Sequence, residues 1–293
     1  MKFGVVLPSY GPKAGRLGIL DTAIAAEQLG FESVWLTDHL ALSLPDADPF
    51  GHLFESITTL AYLAGSTSKV QLGISSLVLP QRNPVEVAKQ IATADVLSGG
   101  RVILAAGIGW SEGEYRNLGS SFHDRGERMD EALKVLRTLW RGGSAPLSFQ
   151  GKYYAFDQVV FSPVTVQLGG PPLWVAGNSP ATLRRGILLA DGWHADSLSA
   201  ADLTEMLSGA RSMIALRPFT VSMRAQLSFH SAAQPDTISG DAEQIIRQLQ
   251  DLGDAGLDYL IFSIPTESQA ERERALKKFA QEVLPALRPA RHR

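Results

Sequence analysis

Residues 70–105 read VQLGISSLVLPQRNPVEVAKQIATADVLSGGRVILA, and this stretch decides the fold. Val70 to Ile74 is an apolar run of strand length. Pro84 to Leu97 carries helical spacing, with proline near its first turn and Gly99-Gly100 just past its end. Val102 to Ala105 is a second apolar run. A strand, a helix and a strand in this order form a parallel unit, because the helix carries the chain back to the end at which the first strand began.

The same alternation extends in both directions. Toward the N-terminus, Lys2 to Leu7 reads as a strand, Gly18 to Leu29 as a helix closed by Gly30, Ser33 to Leu36 as a strand, and Glu55 to Ala64 as a helix ended by Gly65. Toward the C-terminus, a helix runs to Trp140, with Asp124 as its expected cap and Glu127 three residues on. The rhythm is then interrupted over Arg141 to Pro172, where Ser148-Phe149, Gly151 and Tyr153 to Phe156 read as a small hairpin. It resumes with strand Leu173 to Ala176 and helix Pro180 to Ala190, strand Trp193 to Ala195 and helix Ala201 to Ala215, and strand Phe219 to Leu227 and helix Asp241 to Leu252. Strand Tyr259 to Phe262 and helix Gln269 to Val283 come last. Eight such units predict a parallel (β/α)8 TIM barrel with a loop insertion between strands 4 and 5, forming a single domain over residues 1–293.

Composition narrows the function. The chain is 45% hydrophobic and 19% charged, as an ordinary globular protein is, and its net charge of -3 gives no electrostatic basis for binding nucleic acid or an anionic membrane. The basic cluster Arg288, Arg291, His292 and Arg293 reads as a solvated end. With no cysteine there are no disulfides, thiolate nucleophiles or thiolate metal sites, and no metal centre is expected. The first apolar stretch, Phe3 to Leu7, breaks at Pro8 and is too short for a signal peptide or a membrane span, so the cytoplasm is the expected location.

In a barrel of this kind, side chains at the C-terminal ends of strands and in the following loops build the site. Thr37-Asp38-His39 follows the second strand and places an acid and an imidazole there, although Asp38 reads equally as a turn cap and His39 as a surface histidine. Ser75-Ser76 closes the third strand. Gly107 and Gly109 follow the fourth and allow close backbone approach, a weak signal alone. Glu112 and Glu114 lie just beyond, as candidate acid-base carboxylates or as solvated residues at a helix start. Gly177-Asn178-Ser179-Pro180 combines a serine cap with proline at the first helical position, a helix start that suits a phosphate and also an ordinary capped helix.

Taken in order, Lys2 to Pro8, Gly30 to Trp35 with Asp38-His39, Leu72 to Pro84, Asp95 to Arg101, Gly107-Ile108-Gly109-Trp110, Gly177 to Pro180 and Asp191-Gly192-Trp193 resemble the luciferase-like monooxygenase family, in its F420-dependent oxidoreductase branch. The similarity covers nearly the whole chain to about Trp193 and is weaker beyond. It implies a non-prolyl cis peptide at Ser75-Ser76 supporting a flavin-type ring, cofactor contacts from Asp38, Gly107, Gly109, Gly177, Asn178 and Ser179, and proton transfer by His39, with Glu112 near the position of a catalytic glutamate. The implied activity is hydride transfer between coenzyme F420 and a small organic substrate. The alternatives are an FMNH2-dependent monooxygenase served by a separate flavin reductase, and a flavin-binding barrel without turnover. A homodimer is compatible with each. A sugar-phosphate dehydrogenase is disfavoured, because no lysine lies between Gly177 and Arg272 to hold a substrate phosphate.

Overall fold

In the computed structural model, which describes residues 1–143, 145–230 and 237–287, eight parallel strands close into a barrel. The barrel strands are β1 (Lys2–Val6), β2 (Ser33–Leu36), β3 (Gln71–Val78), β4 (Val102–Gly107), β7 (Leu173–Ala176), β8 (Gly192–Asp196), β9 (Thr220–Ser228) and β11 (Tyr259–Ser263). Each pairs with the next in that order, and β11 pairs with β1 (Lys2 opposite Tyr259), so no edge is left open. The insertion between the fourth and fifth barrel strands is the antiparallel hairpin β5 (Leu147–Gln150) and β6 (Ala155–Val159). It is pinned to the outer layer by Glu131, whose carboxylate accepts from the amides of Lys152, Tyr153 and Tyr154.

The outer helices are α1 (Arg16–Gln28), α2 (Ser56–Ser66), α3 (Pro84–Ser98), α4 (Glu112–Asn117), α5 (Arg125–Trp140), α6 (Pro180–Leu189), α7 (Ala200–Ser208), α8 (Arg211–Ile214), α9 (Ala242–Ala255), α10 (Gln269–Lys278) and α11 (Leu284–Leu287). Helix α3 starts as its sequence predicts, with the Asn83 side chain accepting from the Val85 amide ahead of Pro84, and it ends at Gly99 in the left-handed region (φ 72). Several expectations are corrected. Asp124 precedes α5 without a side-chain cap, because its carboxylate turns instead to Arg128 one turn on. The helix expected over Ala201 to Ala215 breaks at Gly209-Ala210 into α7 and α8. The last helix runs on through a π-helical turn, Phe279–Val283, to Leu287. A short strand not foreseen, β10 (Thr237–Ser239), pairs with β9. The C-terminal basic cluster lies outside the described residues. Among the described residues no helix is long and apolar enough to cross a membrane.

Two apolar clusters divide the barrel. The larger lies between strands and helices, and the smaller, Val6, Trp35, Ile103, Ala105, Trp174, Tyr259 and Ile261, fills the lumen. The indole of Trp35 is fully buried at its centre, stacked on Trp174 (5.3 Å) and parallel to His194 (6.1 Å). Trp35 fits because two neighbours lack a side chain. A Cβ on Gly73 would sit 2.2 Å from its ring, and one on Gly4 2.6 Å from its Nε1. The lumen is therefore closed by protein, and a ligand finds room only at the mouth.

Candidate active site

A cavity of about 380 Å³ opens at the C-terminal ends of the strands. Seven of the ten residues singled out from the sequence line it: Asp38, His39, Ser75, Ser76, Gly107, Gly109 and Gly177. Asn178 and Ser179 lie exposed at the start of α6, and Glu112 is exposed in the first turn of α4, outside the lining.

Asp38 is buried directly after β2, and both of its oxygens have protein partners. Oδ1 accepts from Ser56 Oγ and from Arg82 Nη2, each at 2.7 Å, and Oδ2 accepts from the Val78 amide at 2.9 Å. These bonds tie the loop after β2 to the end of β3. Asp38 thus shapes the cavity wall with its carboxylate already neutralised by Arg82.

His39 points its Nδ1 at Glu114 Oε2, 3.0 Å away, with the two side chains 8% and 0% exposed. Glu114 also accepts from the amides of Leu40 (2.6 Å) and Ala41 (3.1 Å) and from Gln81 Nε2 (3.2 Å). Burial by itself would raise its carboxyl, but the His39 hydrogen bond and charge and the two amides outweigh it and hold the group at about 2. Glu114 is therefore ionised and acts only as an acceptor. On neutral His39 it fixes the proton on Nδ1 and leaves the Nε2 lone pair available, and on the imidazolium it stabilises the charge. Phe50 (5.1 Å) and the half-exposed Trp110 (5.7 Å) pack the imidazole from two sides.

The depressed pKa has a consequence for stability. Glu114 titrates near 2 when folded against a reference of 4.5, so its contribution is complete above pH 4.5 and is lost as pH falls through 2. The full amount is on the order of 3 kcal/mol. Urea midpoints measured between about pH 6 and about pH 2.5 are expected to fall more steeply for the wild type than for Glu114→Gln. Equal slopes would mean that Glu114 is not held ionised by its neighbours.

The peptide joining Ser75 and Ser76 is cis, as the resemblance implies. Behind it, His194 bonds Ser75 Oγ through Nε2 (2.8 Å) and Ser222 Oγ through Nδ1 (2.9 Å). Burial, and then the charge of Arg224, push His194 down to about 3, so it is a neutral structural bridge. Arg224, on β9, donates to the Ser75 carbonyl at 2.9 Å, lines the cavity, and has no carboxylate within ion-pair distance among the described residues. The buried Thr37 hydroxyl, also in the lining, has no hydrogen-bond partner among the described residues.

The start of α6 is partly committed to the protein itself. The Gly177 amide donates to the His194 carbonyl, the Asn178 side chain exchanges two hydrogen bonds with the Asp196 backbone, and Ser179 Oγ caps the helix at Thr182. The glycines after β4 have packing reasons too. A Cβ on Gly107 would meet Ser76 Oγ at 2.6 Å, and Gly109 is held at φ 68 against Val78.

His194 and Arg224 are site residues that sequence reasoning did not single out, and Glu114, named beside Glu112 as a candidate carboxylate, was not foreseen as the partner of His39. Only Glu114 had a local signal, and it was ambiguous. Ser111-x-x-Glu114 has the spacing of a capping box, yet only half of one forms: Ser111 Oγ accepts from the Glu114 amide while the carboxylate turns to His39.

Comparison with known proteins gives the family. A luciferase-like monooxygenase family model matches residues 1–286, well past Trp193 where the resemblance in the sequence weakens. An F420-dependent glucose-6-phosphate dehydrogenase from Amycolatopsis mediterranei is 27% identical over 333 residues, covering 95% of this chain and 96% of that protein. An F420-dependent hydroxymycolic acid dehydrogenase from Mycobacterium tuberculosis is 31% identical, covering 76% of this chain and 61% of that protein. Among solved structures, monooxygenase RslO1 from Streptomyces bottropensis superposes with a TM-score of 0.81 at 20% identity, covering 97% and 99% of the two chains, a likeness of fold. The chain belongs to the luciferase-like monooxygenase family.

Proposed function

We propose that this protein is an F420-dependent oxidoreductase that transfers hydride between the deazaflavin and a small organic substrate at the barrel mouth. The observation that carries the reading is the His39–Glu114 pair, an imidazole at the cavity wall whose orientation is fixed by a buried, ionised carboxylate. The named F420-dependent relatives, which align over most of this chain, support the choice of cofactor.

The residues present fit such a group. The unpartnered Thr37 hydroxyl and the Arg224 guanidinium offer hydrogen bonds inside the cavity, and Ser75-Ser76 forms part of its wall. In this reading Thr37, Ser75, Ser76 and Arg224 would hold the ring, Asp38 would shape the wall beside it, and Gly107, Gly109 and the Gly177–Ser179 turn would take its tail. When bound, the deazaflavin supplies the hydride donor or acceptor. His39 Nε2 takes the proton from a substrate hydroxyl as hydride leaves its carbon, or returns it to the oxygen in the reverse direction. Glu114 holds the ring in the tautomer that permits this and balances the positive charge that develops on it. Glu112 is exposed and outside the cavity, and in this reading the carboxylate at the site is Glu114, which orients His39 and does not itself exchange a proton. A sugar phosphate is not proposed as substrate, because the span from Gly177 to Arg272 contains no lysine.

The test is turnover without oxygen. Reduced F420 mixed with a panel of small aldehydes, ketones and enones is expected to be consumed at the same rate under argon as in air. Product formed only with FMN and oxygen would replace this reading with a two-component monooxygenase.

A further inference from the structure

A second, larger cavity of about 550 Å³ lies beside the first, between the ends of β1 and β11. It sits under the loops that lead into α1 and α10. The two cavities share a wall. Tyr10 lines the larger, Phe50 lines the smaller, and their rings pack at 4.9 Å. Phe50 in turn packs against His39.

Much of this second cavity is apolar, with Leu7, Pro8, Leu17 and Ile264 in its lining, yet Arg272 also lines it and is only 8% exposed. Its hydrogen bonds go to neutral oxygens, Nη1 to Gln269 Oε1 at 2.9 Å and Nη2 to the Thr266 carbonyl at 2.6 Å. No carboxylate lies within ion-pair distance of it among the described residues. The other charges facing this cavity are at its rim. Lys13 and Glu267 pair with each other at 3.1 Å, both well exposed, and Asp21 is exposed on α1.

Arg101 gives the contrast. It too lacks a direct ion pair, but its bonds to Ser98, Thr67, Val70 and Ala64 use all five of its N–H donors, as a purely structural arginine should. Among the described residues Arg272 uses two of five. A desolvated guanidinium without a counter-charge is costly, and burial already lowers its pKa.

We propose that this cavity is a binding subsite beside the redox centre, in which Arg272 binds the carboxylate of a small organic acid, with the apolar body of that acid against Leu7, Pro8 and Ile264. A single planar guanidinium matches a carboxylate, whereas a phosphate dianion calls for more positive charge than the lining supplies. The proposal rests on reading the neighbouring cavity as the redox centre, beside which the bound acid lies across the Tyr10–Phe50 wall. Ligand binding at the subsite is measurable without the cofactor.

Calorimetric titration of the full chain with benzoate, benzamide and phenyl phosphate tests the subsite. Benzoate is expected to bind at least about tenfold more tightly than the neutral amide and no more weakly than phenyl phosphate. In Arg272→Gln the preference for benzoate over the amide should fall below about threefold, and in Arg272→Lys it should be partly kept, with F420 affinity unchanged in both. Benzamide binding as well as benzoate to the wild type would overturn the proposal without recourse to any variant. So would a benzoate preference that survives in folded Arg272→Gln, or tighter binding of phenyl phosphate. F420 binding that fails while the benzoate preference holds would instead count against the redox reading.

Discussion

His39→Ala is expected to lower kcat roughly 100- to 10,000-fold while the F420 dissociation constant stays within about threefold. The asymmetry follows from where the imidazole acts. In the proposed mechanism a proton moves to or from substrate oxygen only as hydride moves, so the interaction is made mainly in the transition state and its loss appears in kcat. In the proposed reading the cofactor would be held by other groups in the wall, Thr37, Ser75 and Arg224, which the substitution leaves in place. Because His39 is also one of the groups that satisfy buried Glu114, the folded fraction of the variant should be checked by its urea midpoint before rates are compared. Unchanged turnover in a folded His39→Ala protein would remove the imidazole from the mechanism.

The barrel was legible because its signals are local. Over residues 70–105 an apolar run, a proline-started helix closed by Gly99 and a second apolar run each declare themselves within a few residues, and the structure places β3, α3 and β4 there. Where signals were weaker the elements shifted. Asp124 had a capping pattern but found Arg128 a better partner, and no proline or charge pattern marked the break between α7 and α8. Closure of β11 on β1 is a contact between the two ends of the chain, supported in advance only by the count of units.

The site was legible in part, and the reason is again distance along the chain. Asp38 and His39 stood out because they directly follow a strand, but the carboxylate that orients His39 lies 75 residues away on a different element. Only the capping-box spacing from Ser111 sets Glu114 apart from Glu112 in the sequence, and that spacing points to a helix start; which of the two faces the barrel is a matter of helix phase in a six-residue helix too short to show a period. Arg224 and His194 read simply as strand residues. Their roles arise from the side chains that meet behind Ser75. The glycines carried a second ambiguity, since Gly107 makes room for Ser76 whether or not a ligand passes nearby.

Cofactor choice is the central claim, and it is open to one direct measurement. F420 and FMN share a tricyclic ring and a phosphate-bearing tail, so contacts at Gly177–Ser179 cannot separate them. The ring itself can, because a deazaflavin has carbon at position 5 and favours hydride transfer over reaction with oxygen. Fluorescence-quenching titrations of the purified protein with each cofactor, in the same buffer, give the two dissociation constants. The account predicts that F420 binds at least about a hundredfold more tightly than FMN, a difference of about 2.7 kcal/mol. Tighter binding of FMN than of F420 would contradict it.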